Sequence, residues 1–347
     1  MNKKNLLRLA FLLFLIVGTI LIIRQQHAMP YQHNTGFIFG TVYNITYQSD
    51  RDWQKEIEAE LMKVDQSLSP FNKGSIISQV NRNEQVTLNE MFLNVFELAQ
   101  QISKETDGAF DITVAPLVNA WGFGFKNGTN PTKQVIDSLM ALVGYGKVSL
   151  AAPDVKHPTP YIKKQDPRIM LDCSAIAKGY GSDVVARFLK LHDIQNFMVE
   201  IGGEIVTNGV SDKRVPWRIG VTKPSDDSLS TSNEMQAVLN VTNKAMATSG
   251  NYRNFYYKGG KKYAHTIDPH TGYPVQHNIL SATVLANDCA TADAYATSFM
   301  VMGLDGARKI LDKHPELMAY LIYTDEQGNY AIWYSKDMEN KIVSSDK

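Results

Sequence analysis

The spacing of apolar residues changes several times along this chain, and each change predicts an element. From Leu9 to Ile23 apolar residues run together, broken only by Gly18 and Thr19, and Arg24 ends the run. From Phe37 to Tyr47 β-branched and aromatic residues alternate with polar ones, which predicts a strand. Trp53, Ile57, Leu61, Val64 and Leu68 recur at intervals of four and three, the pattern of an amphipathic helix. Thr87 followed by Glu90 reads as a capping box, opening a helix that carries Val95, Leu98, Ala99 and Ile102 and ends near Gly108. Asn130-Pro131 supplies an N-cap and a first helical residue for a helix through Leu142, with Gly144 behind it. The second half predicts short strands at 169–171, 197–206, 217–221, 237–241, 280–285 and 318–323. Between them, helices are expected from Ala177 to Leu191 and from Ala290 to Met302.

Strands grouped by short loops, with helices set between the groups, predict an α+β fold of mixed or antiparallel sheets flanked by helices. Stretches 151–167 and 224–235 are polar loops, and no repeat is present. Segments able to carry chemistry are spread over the whole body, so one large domain is expected. Its bounds are 37–340, after an N-terminal signal or membrane anchor at 1–23 and a polar tether at 24–36.

Composition narrows the class. The 347 residues include 35 basic and 35 acidic side chains, so nothing favours a nucleic-acid surface. Neutrality is an average of two parts. The first 29 residues hold Lys3, Lys4, Arg8 and Arg24 and no acid, which leaves the body acidic by about four charges. Basic residues ahead of an apolar run form the layout of an export signal. No small-x-small cleavage site follows, because Arg24, Gln25, Gln26 and His27 occupy that stretch, and no cysteine offers lipid attachment. Counted from Leu6 the apolar segment has 18 residues, with Arg8 able to reach the headgroups. The segment reads as an uncleaved anchor in the inner (cytoplasmic) membrane, with the body facing the periplasm or cell exterior; a cleaved signal is the alternative. Cys173 and Cys289, the only cysteines, exclude a disulfide-rich scaffold and a four-cysteine zinc site, and leave their pairing open.

Phosphate-loop, dinucleotide-fold, zinc-protease and nucleophile-elbow motifs are absent. Four segments stand out instead. In 288–303, Asp293 and Thr297 lie four apart, one face of a helix, and offer two hard oxygens suited to Mg²⁺; helix capping is the plainer alternative. In 171–183, Asp172 and Ser174 stand at a strand-to-helix junction, and Lys178 has the reach for a phosphate; an ordinary corner with an exposed lysine is the alternative. In 265–275, His265 precedes Asp268 and a turn at Pro269 to Gly272, and is a base, a phosphate contact or a structural histidine. Stretch 107–124, rich in Gly and aromatics and holding Asp111, suits a flat aromatic ligand or a core. Ser69-Pro70-Phe71-Asn72 offers a ring or a helix stop.

Taken in order, with Phe39-Gly40-Thr41, Val199–Ile205 and Ala247–Phe255 added, these segments resemble the ApbE family of FAD:protein FMN transferases, a T-fold-related architecture. The resemblance implies Mg²⁺-dependent transfer of FMN from FAD to a threonine or serine hydroxyl of a target protein, with AMP leaving. It implies that Asp293, Thr297 and the carbonyl of Ala175 hold the metal and that Asp172 and Lys178 contact FAD. Phe39, Phe71 and Ala109-Phe110-Asp111 would line the flavin and adenine pockets, and His265 would lie by the pyrophosphate with Ile267 nearby. The acceptor would carry an Asp-x-x-Ser/Thr-Gly/Ala-Thr motif, on a respiratory electron-transfer protein. Two departures from the family pattern stand out: Phe39 where the family has Met, and Phe71 where Tyr is common. A Mg²⁺-dependent FAD pyrophosphatase and a non-catalytic periplasmic FAD-binding protein are the alternatives.

Overall fold

The computed structural model describes residues 3–124, 131–224, 234–251, 255–258, 261–276 and 278–345. At its centre is an eight-stranded sheet in the order β1 (Tyr31–Ile38), β2 (Thr41–Gln48), β5 (Phe197–Ile201), β6 (Glu204–Asn208), β9 (Ala245–Gly250), β12 (Ile279–Ala286), β13 (Met318–Thr324) and β14 (Tyr330–Tyr334). Every pairing in it is antiparallel. A three-stranded sheet of β15 (Ile342–Ser345), β8 (Met235–Val241) and β7 (Trp217–Thr222) covers one face. Ile205, Met246, Leu285, Tyr320 and Ile322 of the large sheet meet Ile219, Leu239 and Val241 of the small one there. Two hairpins complete the strands: β3 (Val148–Ala151) with β4 (Tyr161–Lys164), and β10 (Phe255–Lys258) with β11 (Lys261–Ala264).

Helices cover the other face. α7 (Ala177–Leu191) and α8 (Cys289–Leu311) lie on the sheet, backed by α2 (Gln54–Leu68) and α4 (Glu90–Glu105). Ala292, Ala294, Ala296 and Phe299 of α8 are fully buried. The alanines let α8 sit close to the strands, and the Phe299 ring contributes about 2 kcal/mol by burial. α8 is interrupted at Gly303, whose φ of 71° and ψ of 178° no helix allows. The shorter helices are α3 (Ile76–Asn81), α5 (Ala115–Ala120), α6 (Lys133–Met140) and α9 (Lys336–Glu339). α1 (Lys3–Ala28) stands apart from the core, and its stretch Lys3–Arg24 is long and apolar enough to cross a membrane.

The α+β expectation holds, and α7 has the expected bounds. Several local readings are corrected. The stretch 37–47 is two strands, because Phe39 (φ 52°) and Gly40 (φ 76°) form a two-residue turn with Ile38 paired to Thr41. Positive φ at both positions matches the right-handed strand twist. The expected strand 197–206 is likewise a hairpin, turned at Gly202 (φ 61°) and Gly203 (φ 100°). Where a tether was expected over 24–36, α1 continues to Ala28 and β1 begins at Tyr31; pairing along β2 satisfies that backbone.

Segment 169–171 is buried but not a strand: Asn81 donates to the Leu171 carbonyl at 2.9 Å and accepts from the Leu171 N–H at 2.7 Å, taking the place of a neighbouring strand. Asn89, not Thr87, caps α4, accepting from the Phe92 N–H. Thr132 caps α6, accepting from the Val135 N–H; Asn130 lies outside the described residues, as do Gly259, Gly260, His277 and part of the 247–255 segment. Cys173 and Cys289 are buried free thiols.

Candidate active site

The α7–α8 crossing sets the site. Gly179 approaches α8 so closely that a Cβ there would lie 2.4 Å from the Cys289 carbonyl oxygen. Asp183, one turn further along α7, accepts from the N–H groups of Cys289 and Ala290, each at 2.8 Å. Asp288 caps the same helix through the Thr291 N–H, so the orphan donors of the first turn of α8 are met. Burial pushes the Asp183 carboxyl up to about 7, against the pull of those N–H groups.

Asp293 and Thr297 follow on α8, one turn apart, facing a cavity of about 440 Å³. That size is ordinary for a small-molecule site. The twelve residues to which the family resemblance assigns a role all line it: Phe39, Phe71, Ala109, Phe110, Asp111, Asp172, Ala175, Lys178, His265, Ile267, Asp293 and Thr297. Its aromatic lining includes Phe39 at the β1–β2 turn, Phe110 buried, and Phe71 at 67 % exposure. The Phe39 ring presses on α7, where a Cβ at Gly181 would lie 2.6 Å from it. The rest of the lining is largely polar, with Asp111, Asp172, Lys178, Glu204 and Asp293.

Among the polar lining residues, Asp293 Oδ2 accepts from the Gly179 N–H at 3.2 Å. In a regular helix this N–H would close a turn on the Ala175 carbonyl, which stands just ahead of α7. Thr297 Oγ1 meets Ser249 Oγ at 3.0 Å. A carboxylate, a hydroxyl and a carbonyl form a hard-oxygen set of the kind that suits a small divalent cation. Among the described residues no three His, Cys, Asp or Glu side chains are placed to hold a metal, so a cation here would rest on this set.

Electrostatics among these polar residues are coupled. Lys178 donates to Glu204 Oε1 at 2.5 Å. Burial alone would depress the lysine, but the Asp293 and Glu204 carboxylates hold it above its ordinary value. Burial pushes Asp293 and Glu204 up, with Lys178 opposing. Asp111 and Asp172 are pushed up by burial too, although each accepts hydrogen bonds from a nearby residue, Thr113 and Ser174 respectively. The Asp172 N–H donates to the Ile112 carbonyl at 2.7 Å, tying two cavity walls together. His265 lies edge-on to Phe123 at 6.5 Å.

Two contributors carry no clear signal of their own in sequence. Glu204 follows two glycines and faces Lys178 only because the β5–β6 hairpin folds it back. Ser249 lies on β9, a strand without a clear pattern. His270 lies exposed in the turn after Asp268, outside the cavity lining, where Nε2 meets the Asp107 carbonyl at 2.7 Å and Nδ1 meets Asp268 at 3.1 Å.

A helix-covered antiparallel sheet with a cavity lined by aromatic and acidic side chains is the framework of a ligand-transforming α+β enzyme. The chain belongs to the ApbE family, whose model matches residues 39–322. It is 38 % identical over 307 residues to the FAD:protein FMN transferase of Haemophilus influenzae, covering 85 % of this chain and 87 % of that one. It is 31 % identical over 330 residues to the FAD:protein FMN transferase of Escherichia coli K12, covering 92 % of each. The flavin transferase ApbE from Vibrio cholerae superposes with a TM-score of 0.80 at 33 % identity, covering 90 % of this chain and 99 % of that one.

Proposed function

We propose that this chain is an FAD:protein FMN transferase that uses Mg²⁺ to move FMN from FAD onto a threonine or serine hydroxyl of a target protein, releasing AMP. The observation that carries the reading is the cavity itself: aromatic side chains together with Lys178, Asp293 and Thr297 in one lining suit a flavin joined to a pyrophosphate. Phe39, Phe71 and Ala109-Phe110-Asp111 line the flavin and adenine regions, and Ile267 lies near His265 by the pyrophosphate. Asp172 and Lys178 bind the dinucleotide, Lys178 as a point charge on the phosphates. Asp293, Thr297 and the Ala175 carbonyl hold the metal, which supplies charge neutralisation at the transferring phosphoryl group.

The hydroxyl oxygen forms a bond to the FMN phosphorus while the bond from that phosphorus to the AMP oxygen breaks. Such a reaction depends mainly on positioning and charge. His265 stands by the pyrophosphate, to take the hydroxyl proton or to steady the developing charge. The acceptor carries an Asp-x-x-Ser/Thr-Gly/Ala-Thr segment on an electron-transfer protein. α1 anchors the enzyme in the inner membrane, with the body, from β1 onward, on the periplasmic or outer side.

The test is incubation of purified protein with FAD, Mg²⁺ and an acceptor bearing that segment, followed by mass spectrometry. An FMN adduct on the acceptor threonine, lost in Asp293→Ala, is expected. Free FMN and AMP with an unmodified acceptor would show hydrolysis and overturn the transfer reading.

A further inference from the structure

Glu204 belongs to no ligand set proposed above, yet it is as enclosed as Asp293, each 3 % exposed, and lines the same cavity. Two α7 side chains one turn apart hold it. Lys178 donates to its Oε1 at 2.5 Å, and the Ser182 hydroxyl donates to its main-chain carbonyl at 2.9 Å. Below it, the Gly202 turn is packed so tightly that a Cβ would lie 2.7 Å from Thr41 Cγ2. Glu204 is therefore fixed by backbone, while Lys178 sits on a flexible four-carbon stem.

Lys178 is drawn to two carboxylates, and the structure shows which one it takes. Its ion pair and hydrogen bond are with Glu204, whereas Asp293, whose charge also raises the lysine, receives the Gly179 N–H. Glu204 Oε2 is buried with no hydrogen-bond partner. A carboxylate enclosed in this half-paired way is a costly stabilising device. Its geometry makes sense if the lysine has to be kept somewhere.

We infer that Glu204 is a positioning residue: its carboxylate holds the Lys178 ammonium off Asp293 and so keeps Asp293 open to a divalent cation. The inference rests on the reading of Asp293 as a metal ligand. Without the Glu204 charge, Asp293 is the remaining carboxylate that attracts Lys178. In a poorly solvated cavity that attraction is strong. The ammonium would then occupy the place of the cation and leave its own place beside the phosphates.

The experiment measures Mn²⁺ binding by electron paramagnetic resonance and Mg²⁺ binding by calorimetry on the full chain, without FAD. Glu204→Gln is expected to weaken both by about tenfold or more, an effect of the size seen for supporting residues at metal sites. Glu204→Gln combined with Lys178→Met should bind as well as Lys178→Met alone, because the competing ammonium is gone. Unchanged affinity in Glu204→Gln, or a loss that persists in the double variant, overturns the inference; persistence would make Glu204 a direct ligand or a structural group. Should Glu204→Gln not fold, Glu204→Asp retains the charge further from the lysine and is expected to show a smaller loss, again abolished by Lys178→Met. Asp293→Ala separates the two levels. If it binds Mn²⁺ like the unaltered chain, the metal reading fails; if it does not, only the Glu204 comparison is at stake.

Discussion

Gly179 and Asp293 are joined by a 3.2 Å hydrogen bond from the glycine N–H to the carboxylate, across the tightest helix contact at the site. The absence of a side chain at 179 therefore sets the position of the acid on α8. Gly179→Ala would place a methyl 2.4 Å from the Cys289 backbone oxygen, and backbone cannot rotate out of the way. Overpacking of this kind costs about 1–3 kcal/mol. The expected result is a lower melting temperature together with at least a tenfold loss of FMN transfer, read from a thermal melt and an adduct assay on the same preparation.

Asp183 gives a pH signature. Its folded-state value, about 7, lies above its ordinary value of 3.8. The group's contribution to stability is thus fully present below about pH 4 and is lost as pH rises towards 7. Asp183→Asn keeps an acceptor for the Cys289 and Ala290 N–H groups and removes the titration. The difference in unfolding free energy between the two proteins is expected to shift by about 1 kcal/mol or more in favour of Asp183→Asn between pH 4 and pH 7. Denaturant melts across that range check it, and a constant difference would refute it.

Phe71 lines the cavity and is 67 % exposed, so its ring adds little to folding. Phe71→Ala should leave the melting temperature within about 1 °C, since exposed substitutions are usually worth under about 0.5 kcal/mol. Loss of ring stacking, about 1–3 kcal/mol per base by analogy with nucleobases, should raise KM for FAD about tenfold. Steady-state kinetics beside a melt separate these effects.

α1 is exposed along its described side chains, while the body begins its contacts at Met29, whose carbonyl accepts from Gln48 Nε2. Removal of residues 1–28 is expected to leave the melting temperature and FAD binding unchanged and to move the protein from the membrane pellet to the soluble fraction. Fractionation and calorimetry of both forms test this.

Much of the fold is legible in the chain because long elements have unambiguous periods. α7 is marked by its small residues and apolar spacing, and β13 by a plain apolar run. The two hairpins at 39–40 and 202–203 are hidden for different reasons. Phe39 is an unusual residue for a positive φ, and Gly202-Gly203 sits inside a mostly apolar stretch, broken otherwise only by Glu200 and Glu204, that reads as one strand. The cavity-lining set is readable because its residues cluster in ordered segments. Glu204 is not, because the meaning of a lone acid depends on a lysine 26 residues away. Asn81 standing in for a strand beside Leu171 has no periodic trace at all.

Cys173 and Cys289 carry a consequence for the life history of the molecule. Both thiols are sealed in the interior, and burial pushes each well above its ordinary value. The reactive thiolate is therefore suppressed at both positions. Folding needs no oxidant and calls on no disulfide-exchange machinery, and the finished protein is indifferent to the redox poise around it.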